Sequence, residues 1–476
     1  MNSNSYQAVS PRIISELNRI CGQENVIAGQ PQALRRYSHD QVPGEKYAHM
    51  PEVVVQPLTA NQVSEIVKLA RREHIPVTPR AAGSGLSGGA VPVCGGIVLS
   101  VERMNRILEI DAANLMAVVE PGVVTNKLDA ALRDYGLFFA GYPMSEEFCF
   151  VGGNVAENAG GGRAIKYGVT GRYIHGLEVV TPSGDIVQLG GKRIKDVTGY
   201  DLLRLMIGSE GTLGIFTKIF IRLLPRPTAR TAILALFEDV SSAIAVVPAV
   251  ATTGRLIPSA VEFMDRFCFV RTVESLKETL PTSGIGAALL LEVDGNRPAV
   301  VAEDAQTIRR ICLENGATAE FAANGDEEIE RFWKIRKQIP WVLKRYSAHQ
   351  SIEDIVVPVA AIPQLLPDLE RIGSIYETPI PVFGHAGDGN LHATPLKNPD
   401  HSLEQWEERL PLLLKDIYKV TAAMGGTISG EHGIGHKRSE YLHLVMDTAQ
   451  IDMMRRIKKA LDPDGIINPG KIFPID

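Results

Sequence analysis

The sequence predicts an α+β protein of two domains, and three observations lead to this prediction. The chain has 476 residues, which is too long for one ordinary hydrophobic core. Short β-branched runs alternate with helical spacing in the first half, whereas longer helical stretches dominate the second half. A strand-like segment over residues 215–224 ends at Pro225 and Pro227, which mark a boundary. We therefore expect a first domain over residues 1–225 and a second over residues 226–476.

The individual elements follow from local patterns. Residues 53–56 form a short apolar run that predicts a strand. Residues 58–74 place apolar side chains at helical spacing, and Thr59 is suited to cap the start of that helix. Residues 177–189 predict a hairpin around a Pro-Ser-Gly-Asp turn. In the second half, residues 298–315 predict a helix that begins with a proline.

The overall composition excludes several classes of function. The net charge is −6 and hydrophobic residues make up 45% of the chain, so neither nucleic-acid binding nor a basic membrane-surface patch is indicated. The five cysteines are dispersed, which argues against a disulfide framework, a zinc ribbon and a cysteine-ligated iron–sulfur cluster. The polar N-terminus lacks a signal-peptide core, and the apolar runs are too short to span a membrane. We expect a cytoplasmic protein, which a partner could hold at the inner membrane.

A glycine-rich segment at residues 79–90 is the first indication of a ligand. It reads Pro-Arg-Ala-Ala-Gly-Ser-Gly-Leu-Ser-Gly-Gly-Ala. Glycine permits positive φ angles, and successive N–H groups in such a loop can point inward to bind a phosphate or pyrophosphate. The segment lacks the Gly-Lys-Ser/Thr end of a P-loop, and it leads into a strand rather than the helix of a Rossmann fingerprint. A flexible surface loop is the alternative.

Two further glycine-rich segments strengthen the ligand interpretation. Residues 151–162 combine small residues with two asparagines, and residues 208–215 read Gly-Ser-Glu-Gly-Thr-Leu-Gly-Ile. All three segments leave space near the backbone and lie in the predicted first domain. Together they suit one long ligand, and a dinucleotide fits that description.

In this order, the three segments resemble the FAD-binding domain shared by relatives of vanillyl-alcohol oxidase and p-cresol methylhydroxylase (PCMH). The resemblance implies a two-lobed FAD-binding domain of the PCMH type, followed by an α+β substrate or cap domain whose last residues, about 455–476, return to the flavin. It implies that residues 83–88 bind the FAD pyrophosphate and that the other segments line the ribityl chain and the isoalloxazine. The first loop has no histidine for covalent attachment, so non-covalent FAD is expected. The cofactor-binding residues that the resemblance implies are Pro79, Arg80, Ala81, Gly83, Ser84, Gly85, Leu86, Ser87, Gly88, Pro143, Ser145, Gly152, Gly153, Asn154, Glu157, Asn158, Gly160, Gly161, Glu210, Gly211, Ile215 and Asn468.

Two histidine-containing motifs stand in the second half. Residues 384–392 read Gly-His-Ala-Gly-Asp-Gly-Asn-Leu-His, and residues 429–435 read Ser-Gly-Glu-His-Gly-Ile-Gly. A tight Gly-Asp-Gly turn can bring His385 and His392 toward one point, and Glu431 can add a carboxylate. Two histidines and one carboxylate are a common divalent-metal set that leaves positions open for a substrate. The alternative is that each histidine only satisfies nearby backbone groups.

These motifs resemble one branch of the same superfamily, which includes the glycolate oxidase catalytic subunit, FAD-dependent D-lactate dehydrogenases and D-2-hydroxyglutarate dehydrogenase. The resemblance extends from about residue 50 to Ile472. It implies that a divalent metal (zinc, iron or manganese) is bound by His385, His392 and Glu431. It also implies that His432 is the catalytic base and that Arg336 binds the substrate carboxylate.

The resemblance implies FAD-dependent oxidation of a small D-2-hydroxy acid, D-lactate or glycolate, to the 2-keto acid. Flavin N5 takes the hydride, the metal polarises the hydroxyl group and His432 takes the proton. Thr394 stands where the hydroxyglutarate enzymes carry Asn, which favours lactate or glycolate over a dicarboxylate.

Several alternatives stay open at this point. The chain could be a D-2-hydroxyglutarate-type dehydrogenase or an FAD subunit of a multi-subunit dehydrogenase. A metal-dependent hydrolase that binds a nucleotide would use the histidines, but it would not explain the three glycine-rich segments. A plain binding module would explain neither feature. Because the chain carries no cluster ligands, we expect an electron-acceptor partner, either an iron–sulfur subunit or an electron-transfer flavoprotein.

Overall fold

The computed structural model describes residues 6–474. Its strands, in chain order, are β1 (Val26–Ala28), β2 (Val53–Val55), β3 (Val77–Arg80), β4 (Ile97–Ser100), β5 (Ile107–Asp111), β6 (Met116–Val119), β7 (Leu137–Phe138), β8 (Ile174–Val180), β9 (Ile186–Gly190), β10 (Ile215–Arg222), β11 (Leu224–Pro225), β12 (Ala229–Phe237), β13 (Ala260–Asp265), β14 (Ala287–Gly295), β15 (Ala317–Ala322), β16 (Glu353–Val356), β17 (Val382–His385) and β18 (Asn390–Ala393). Its α-helices are α1 (Pro11–Cys21), α2 (Pro31–Arg35), α3 (Ala60–Arg72), α4 (Thr125–Arg133), α5 (Val151–Glu157), α6 (Ala164–Tyr167), α7 (Leu202–Met206), α8 (Val240–Thr252), α9 (Arg266–Leu276), α10 (Pro298–Glu314), α11 (Asp326–Tyr346), α12 (Ile362–Ile375), α13 (Leu403–Ala423) and α14 (Thr448–Leu461). Across residues 6–474, none of the helices combines the length and the apolar character that crossing a membrane requires.

The chain folds into two compact units. The first unit comprises the chain up to Gly160, then Val169–Arg226, and then everything from Glu431 onward. The second unit comprises Gly161–Gly168 and Pro227–Gly430. Each unit combines helices with sheets, which confirms the predicted α+β class. The boundary falls between Gly160 and its neighbour Gly161, both of which are predicted to bind FAD.

The first unit contains two main sheets. One has four strands in the order β1-β2-β4-β3, in which β2, β4 and β3 run parallel. The other has five antiparallel strands in the order β5-β6-β10-β8-β9. The helix predicted at residues 58–74 is α3, whose first turn is capped by the Thr59 side chain. The hairpin predicted at residues 177–189 is formed by β8 and β9.

The second unit is built on one antiparallel sheet of seven strands, in the order β15-β12-β14-β13-β17-β18-β16. Helix α10 packs on β12 and β14, and it begins at the predicted proline, Pro298. Strands β13, β17 and β18 are neighbours in this sheet. Their register sets Glu262 opposite His385 and Phe383 opposite His392. These three strands therefore position the polar side chains of the candidate site in this unit.

Candidate active site

The first glycine-rich loop begins where β3 ends, at Arg80. Gly83 and Gly88 adopt φ angles of +67° and +76°, a region that glycine occupies at little cost. Within residues 6–474, no acceptor receives a hydrogen bond from the backbone N–H groups of residues 83–86. Successive amides with open donor capacity form an anion-binding nest. The loop therefore fits a pyrophosphate such as that of FAD.

Two carboxyl groups of the first unit hold this loop. The Gly88 N–H donates to Asp40 at 2.7 Å, and the Ser87 hydroxyl donates to Glu157 at 3.2 Å. Burial raises the pKa of Asp40, although the amides of Val42 and Gly88 oppose this effect. These hydrogen bonds fix the conformation of the loop. The backbone N–H groups of residues 83–86 stay available to a ligand.

The three glycine-rich segments meet beside β3. A methyl group on Gly153 would lie 3.2 Å from the Ala81 side chain, and one on Gly211 would lie 3.6 Å from Pro79. Helix α5 ends at Glu157, and the next residue, Asn158, has a φ of +52° that turns the chain out of the helix. The second and third segments therefore border the first loop, as one extended ligand would require.

The other residues predicted to bind FAD lie around these segments. The Asn468 amide donates to the carbonyl groups of Gly89 at 3.0 Å and Glu210 at 2.8 Å. This side chain fixes the C-terminal segment of the chain to the first loop. Pro143 and Ser145 lie in the irregular stretch between β7 and α5.

Two acidic side chains approach Gly433 in the first unit. A methyl group on Gly433 would collide with the Glu157 carboxylate and would lie 3.2 Å from the carboxyl carbon of Glu210. Burial and the charge of Glu210 raise the pKa of Glu157 well above its ordinary value. Burial also raises the pKa of Glu210, against the opposing effect of the Ile434 and Gly435 amides. The motif that contains His432 is therefore packed against the second and third glycine-rich segments of this unit.

A buried ionic cluster forms in the second unit around Glu262 on β13. The carboxylate oxygens of Glu262 lie 2.6 Å from Arg336 Nε and 2.6 Å from His385 Nδ1. Each of the three side chains is at most 3% exposed. Burial alone would raise the pKa of Glu262, but the charges of His385 and Arg336 outweigh burial and lower it. Glu262 is thus the counter-ion that lets both groups lie inside the protein.

Arg336, the predicted substrate residue, lies on α11. Its guanidinium carbon lies 4.8 Å from the centre of the Phe383 ring, within the range of a cation–π contact. Its Nη2 atom is buried, and it has no hydrogen-bond partner among residues 6–474. With Nε bound to Glu262, the guanidinium is oriented and retains a donor. That arrangement suits a carboxylate ligand.

The two histidines of the first histidine motif lie close together, as the Gly-Asp-Gly turn predicts. His385 ends β17 and His392 lies on β18, and the turn that joins these strands includes Gly389 at φ +85°. Their rings meet edge to face with centroids 5.4 Å apart. His392 Nδ1 lies 3.9 Å from Asp354 Oδ1.

Asp354 on β16 orders the neighbourhood of His392. Its carboxylate accepts hydrogen bonds from the Asn390 amide at 2.7 Å, the Ser429 hydroxyl at 2.7 Å and the Gly430 N–H at 2.9 Å. These bonds fix Gly430, the residue directly before Glu431 in the chain. In the first unit, Glu431 Oε1 lies 3.7 Å from His432 Nε2.

The donors in the second unit have the chemistry that a divalent metal requires. A metal-bound histidine commonly donates a hydrogen bond from its other ring nitrogen to a carboxylate. His385 Nδ1 is hydrogen-bonded to Glu262 in this way. The second nitrogen, Nε2, is then the one suited to coordinate. His392 and Asp354 add a ring nitrogen and carboxylate oxygens in the same unit. The residue types therefore fit a bound zinc, iron or manganese ion.

Sequence reasoning did not assign roles to Glu262 and Asp354. Glu262 had a signal: it interrupts the apolar strand segment Ala260–Asp265, and a carboxylate inside such a run is rarely buried without a partner. The three hydrogen bonds of Asp354 depend on contacts between β16 and residues that lie 36 to 76 positions further along the chain.

The first loop suits a cofactor that contains a pyrophosphate, and comparisons with known proteins identify the family. Residues 51–190 match the family model described as FAD binding domain, and residues 226–472 match the one described as FAD linked oxidases, C-terminal domain. The chain belongs to the FAD-linked oxidases. This confirms the resemblance, the enzyme class and the flavin domain that the sequence predicted.

Individual relatives cover nearly the whole chain. The glycolate oxidase subunit GlcD of Bacillus subtilis (strain 168) is 38% identical, over 98% of this chain and 98% of its own length. A D-lactate dehydrogenase of Anaerostipes hadrus is 35% identical, over 99% of both chains. The crystal structure of p-cresol methylhydroxylase with substrate bound matches with a TM-score of 0.80 at 18% identity, and covers 97% of this chain and 96% of that chain. This structural match confirms the predicted PCMH-type fold.

Proposed function

We propose that the protein oxidises a small D-2-hydroxy acid, D-lactate or glycolate, to the 2-keto acid, with non-covalent FAD as the hydride acceptor. The observation that carries this proposal is the buried Arg336, which Glu262 orients at 2.6 Å while Nη2 keeps a donor for a carboxylate. The names of the two relatives, a glycolate oxidase subunit and a D-lactate dehydrogenase, support the same substrate class.

Each proposed role follows from the chemistry of its side chain. When bound, FAD accepts the hydride at N5, and a divalent metal lowers the pKa of the substrate hydroxyl. The ligands of that metal are His385, His392 and Glu431. Arg336 binds the substrate carboxylate through its Nη donors and so fixes which face of the acid is presented. His432 accepts the hydroxyl proton at Nε2, where the Glu431 carboxylate at 3.7 Å stabilises the positive charge.

The proposal also covers the division of labour and the electron acceptor. Residues 1–225 bind the flavin, and residues 226–476 supply the substrate site and return to the flavin at about residues 455–476. Electrons leave through an iron–sulfur subunit or an electron-transfer flavoprotein, because the relative named above is itself a subunit. The protein works in the cytoplasm, where such a partner can hold it at the inner membrane.

A second candidate is the oxidation of D-2-hydroxyglutarate. Thr394 follows β18 and is 0% exposed, and its hydroxyl oxygen has no hydrogen-bond partner among residues 6–474. A short hydroxyl at this position offers less reach toward a second carboxylate than the Asn of the hydroxyglutarate enzymes. We therefore favour the small acids over the dicarboxylate.

Substitution of the four residues tests the proposed division between ligands and base. His385→Ala, His392→Ala and Glu431→Ala should each lower bound metal and turnover together. His432→Ala should keep metal and flavin but lose turnover by roughly 10²–10⁴-fold, the range for general base catalysis. Elemental analysis and rates on D-lactate and glycolate measure both effects. His349→Ala, at an exposed histidine, is the control.

Two outcomes would contradict the assignment. If the wild type binds no divalent metal and chelators leave its rate unchanged, the metal role is wrong and the histidines must bind the carboxylate directly. If His432→Ala turns over at nearly the wild-type rate, the base lies elsewhere.

A further inference from the structure

Glu210 occupies an unusual backbone conformation in the third glycine-rich segment. Its φ is +52°, in the left-handed region, and it stands between Gly208 at +74° and Gly211 at +64°. Glycine or asparagine is the usual residue at such a position, because a larger side chain is strained there. The backbone strain at Glu210 must therefore be offset by contacts that hold the residue in place.

That carboxylate binds the turn that follows His432. Glu210 Oε1 accepts the Ile434 N–H at 2.8 Å, and Oε2 accepts the Gly435 N–H at 2.6 Å. Each oxygen serves a different amide, so the two bonds fix both the position and the orientation of the turn. Hydrogen bonds from an amide to a carboxylate are among the stronger ones in proteins. Glu210 therefore holds residues that lie 224 and 225 positions further along the chain.

The same turn is also bonded to the first glycine-rich loop. The Lys437 N–H donates to the Ser87 carbonyl at 2.9 Å. Arg438 is 0% exposed, and its Nη1 donates to the carbonyls of Leu86 at 3.1 Å and Gly433 at 3.2 Å. The loop that fits the pyrophosphate and the turn that carries His432 are thus parts of one hydrogen-bonded body within the first unit.

We propose that Glu210 is a positioning residue: by binding both amides of the Ile434–Gly435 turn, it holds His432 in place relative to the flavin-binding segments. This inference rests on the proposed role of His432 as the base. In this role Glu210 acts through the turn and not on the substrate. Its contribution is to keep the imidazole in one position, because a small displacement of a catalytic group lowers the rate steeply.

The isosteric variant Glu210→Gln tests this role. A glutamine has one acceptor oxygen, and its NH₂ group would face an N–H, so one of the two bonds is lost. Because the resemblance also implies that Glu210 binds FAD, rates are measured with FAD at a saturating concentration, and we then expect kcat to fall at least tenfold and KM to change less than about threefold. Amide hydrogen exchange of the peptide that spans residues 431–438 should become faster. A role confined to overall stability would not produce this split between kcat and KM.

Glu52→Gln is the matched control. Glu52 also uses both carboxylate oxygens to accept backbone N–H groups, from Val9 at 2.5 Å and Gly96 at 3.3 Å, but it lies outside the cofactor segments. This variant should keep the wild-type kcat. If Glu210→Gln turns over like Glu52→Gln and exchanges its amides at the wild-type rate, the inference is overturned.

Two further results separate this inference from the proposed function. In the wild-type protein with FAD bound, the amides of Ile434 and Gly435 should exchange as slowly as those of strand β10. Exchange at the rate of an exposed loop would overturn the inference. This measurement needs no Glu210 variant, so it applies even if every such variant fails to fold. If His432→Ala keeps its turnover, the proposed base is wrong whatever Glu210 does. If His432→Ala loses turnover but Glu210→Gln keeps it, only the positioning role fails.

Discussion

Neutralising Glu262 tests the buried ionic cluster of the second unit most directly. Glu262 is 0% exposed, and its partners Arg336 and His385 are each 3% exposed. In Glu262→Gln the side chain keeps its shape but loses its charge, which leaves the Arg336 guanidinium buried without a counter-ion. Removing one partner of a buried ion pair costs about 3–5 kcal/mol. We therefore expect the free energy of unfolding to fall by an amount in that range.

A surface ion pair provides the matched control. Glu274 pairs with Arg271 at 3.3 Å, and the two side chains are 53% and 51% exposed. Pairs of this kind contribute about 0–1 kcal/mol, so Glu274→Gln should change the free energy of unfolding very little. Urea unfolding followed by circular dichroism measures both variants. FAD must be held at one saturating concentration, because a ligand that binds the folded state adds to its apparent stability.

The double variant Glu262→Gln with Arg336→Met sharpens the test. Since it removes the unbalanced charge as well as its counter-ion, it should recover part of the stability that Glu262→Gln loses. The reasoning would be refuted if Glu262→Gln lost no more free energy of unfolding than Glu274→Gln, because Arg336 would then not need Glu262 as its counter-ion.

Three further predictions concern pH, the cofactor and the electron acceptor. Burial raises the pKa of Asp265 from 3.8 to about 6. The stability that this residue contributes is therefore complete below pH 3.8 and is lost as the pH rises through about 6. The free energy of unfolding should fall by about 3 kcal/mol over this range. The free energy of unfolding of the wild type should show this decline across the pH range, and that of Asp265→Asn should show a smaller one. If the two proteins show the same pH dependence, the prediction is wrong. Purified protein should carry about one FAD per chain that acid or heat releases intact, whereas flavin that stays with the denatured chain would disprove non-covalent binding. The isolated chain should reduce artificial dyes with substrate present, and rapid reduction of NAD would contradict this.

The parts of the fold that depend on local sequence were predictable. Thr59 and the apolar spacing after it specify α3, and the turn at residues 182–185 specifies the β8–β9 hairpin, because both signals lie within a few residues of the element. The closeness of His385 and His392 followed from the same kind of local reasoning, since one tight turn joins their strands.

The rest of the site depends on contacts that no local pattern records. Glu262 lies 123 residues before His385, and only the order and register of the seven-stranded sheet bring them together. The return of the chain to the first unit at Glu431 is likewise a tertiary feature. The bonds from Glu210 to the turn after His432 depend on that return.

Anaerobic reduction of the bound flavin tests the central claim most directly. FAD-loaded protein should lose the absorbance of oxidised flavin when D-lactate or glycolate is added, and should form an equal amount of the 2-keto acid. L-lactate should leave the flavin oxidised, because Arg336 fixes the face of the acid that is presented. If neither D-lactate nor glycolate reduces a flavin that dithionite reduces fully, the protein is not an oxidase of small D-2-hydroxy acids.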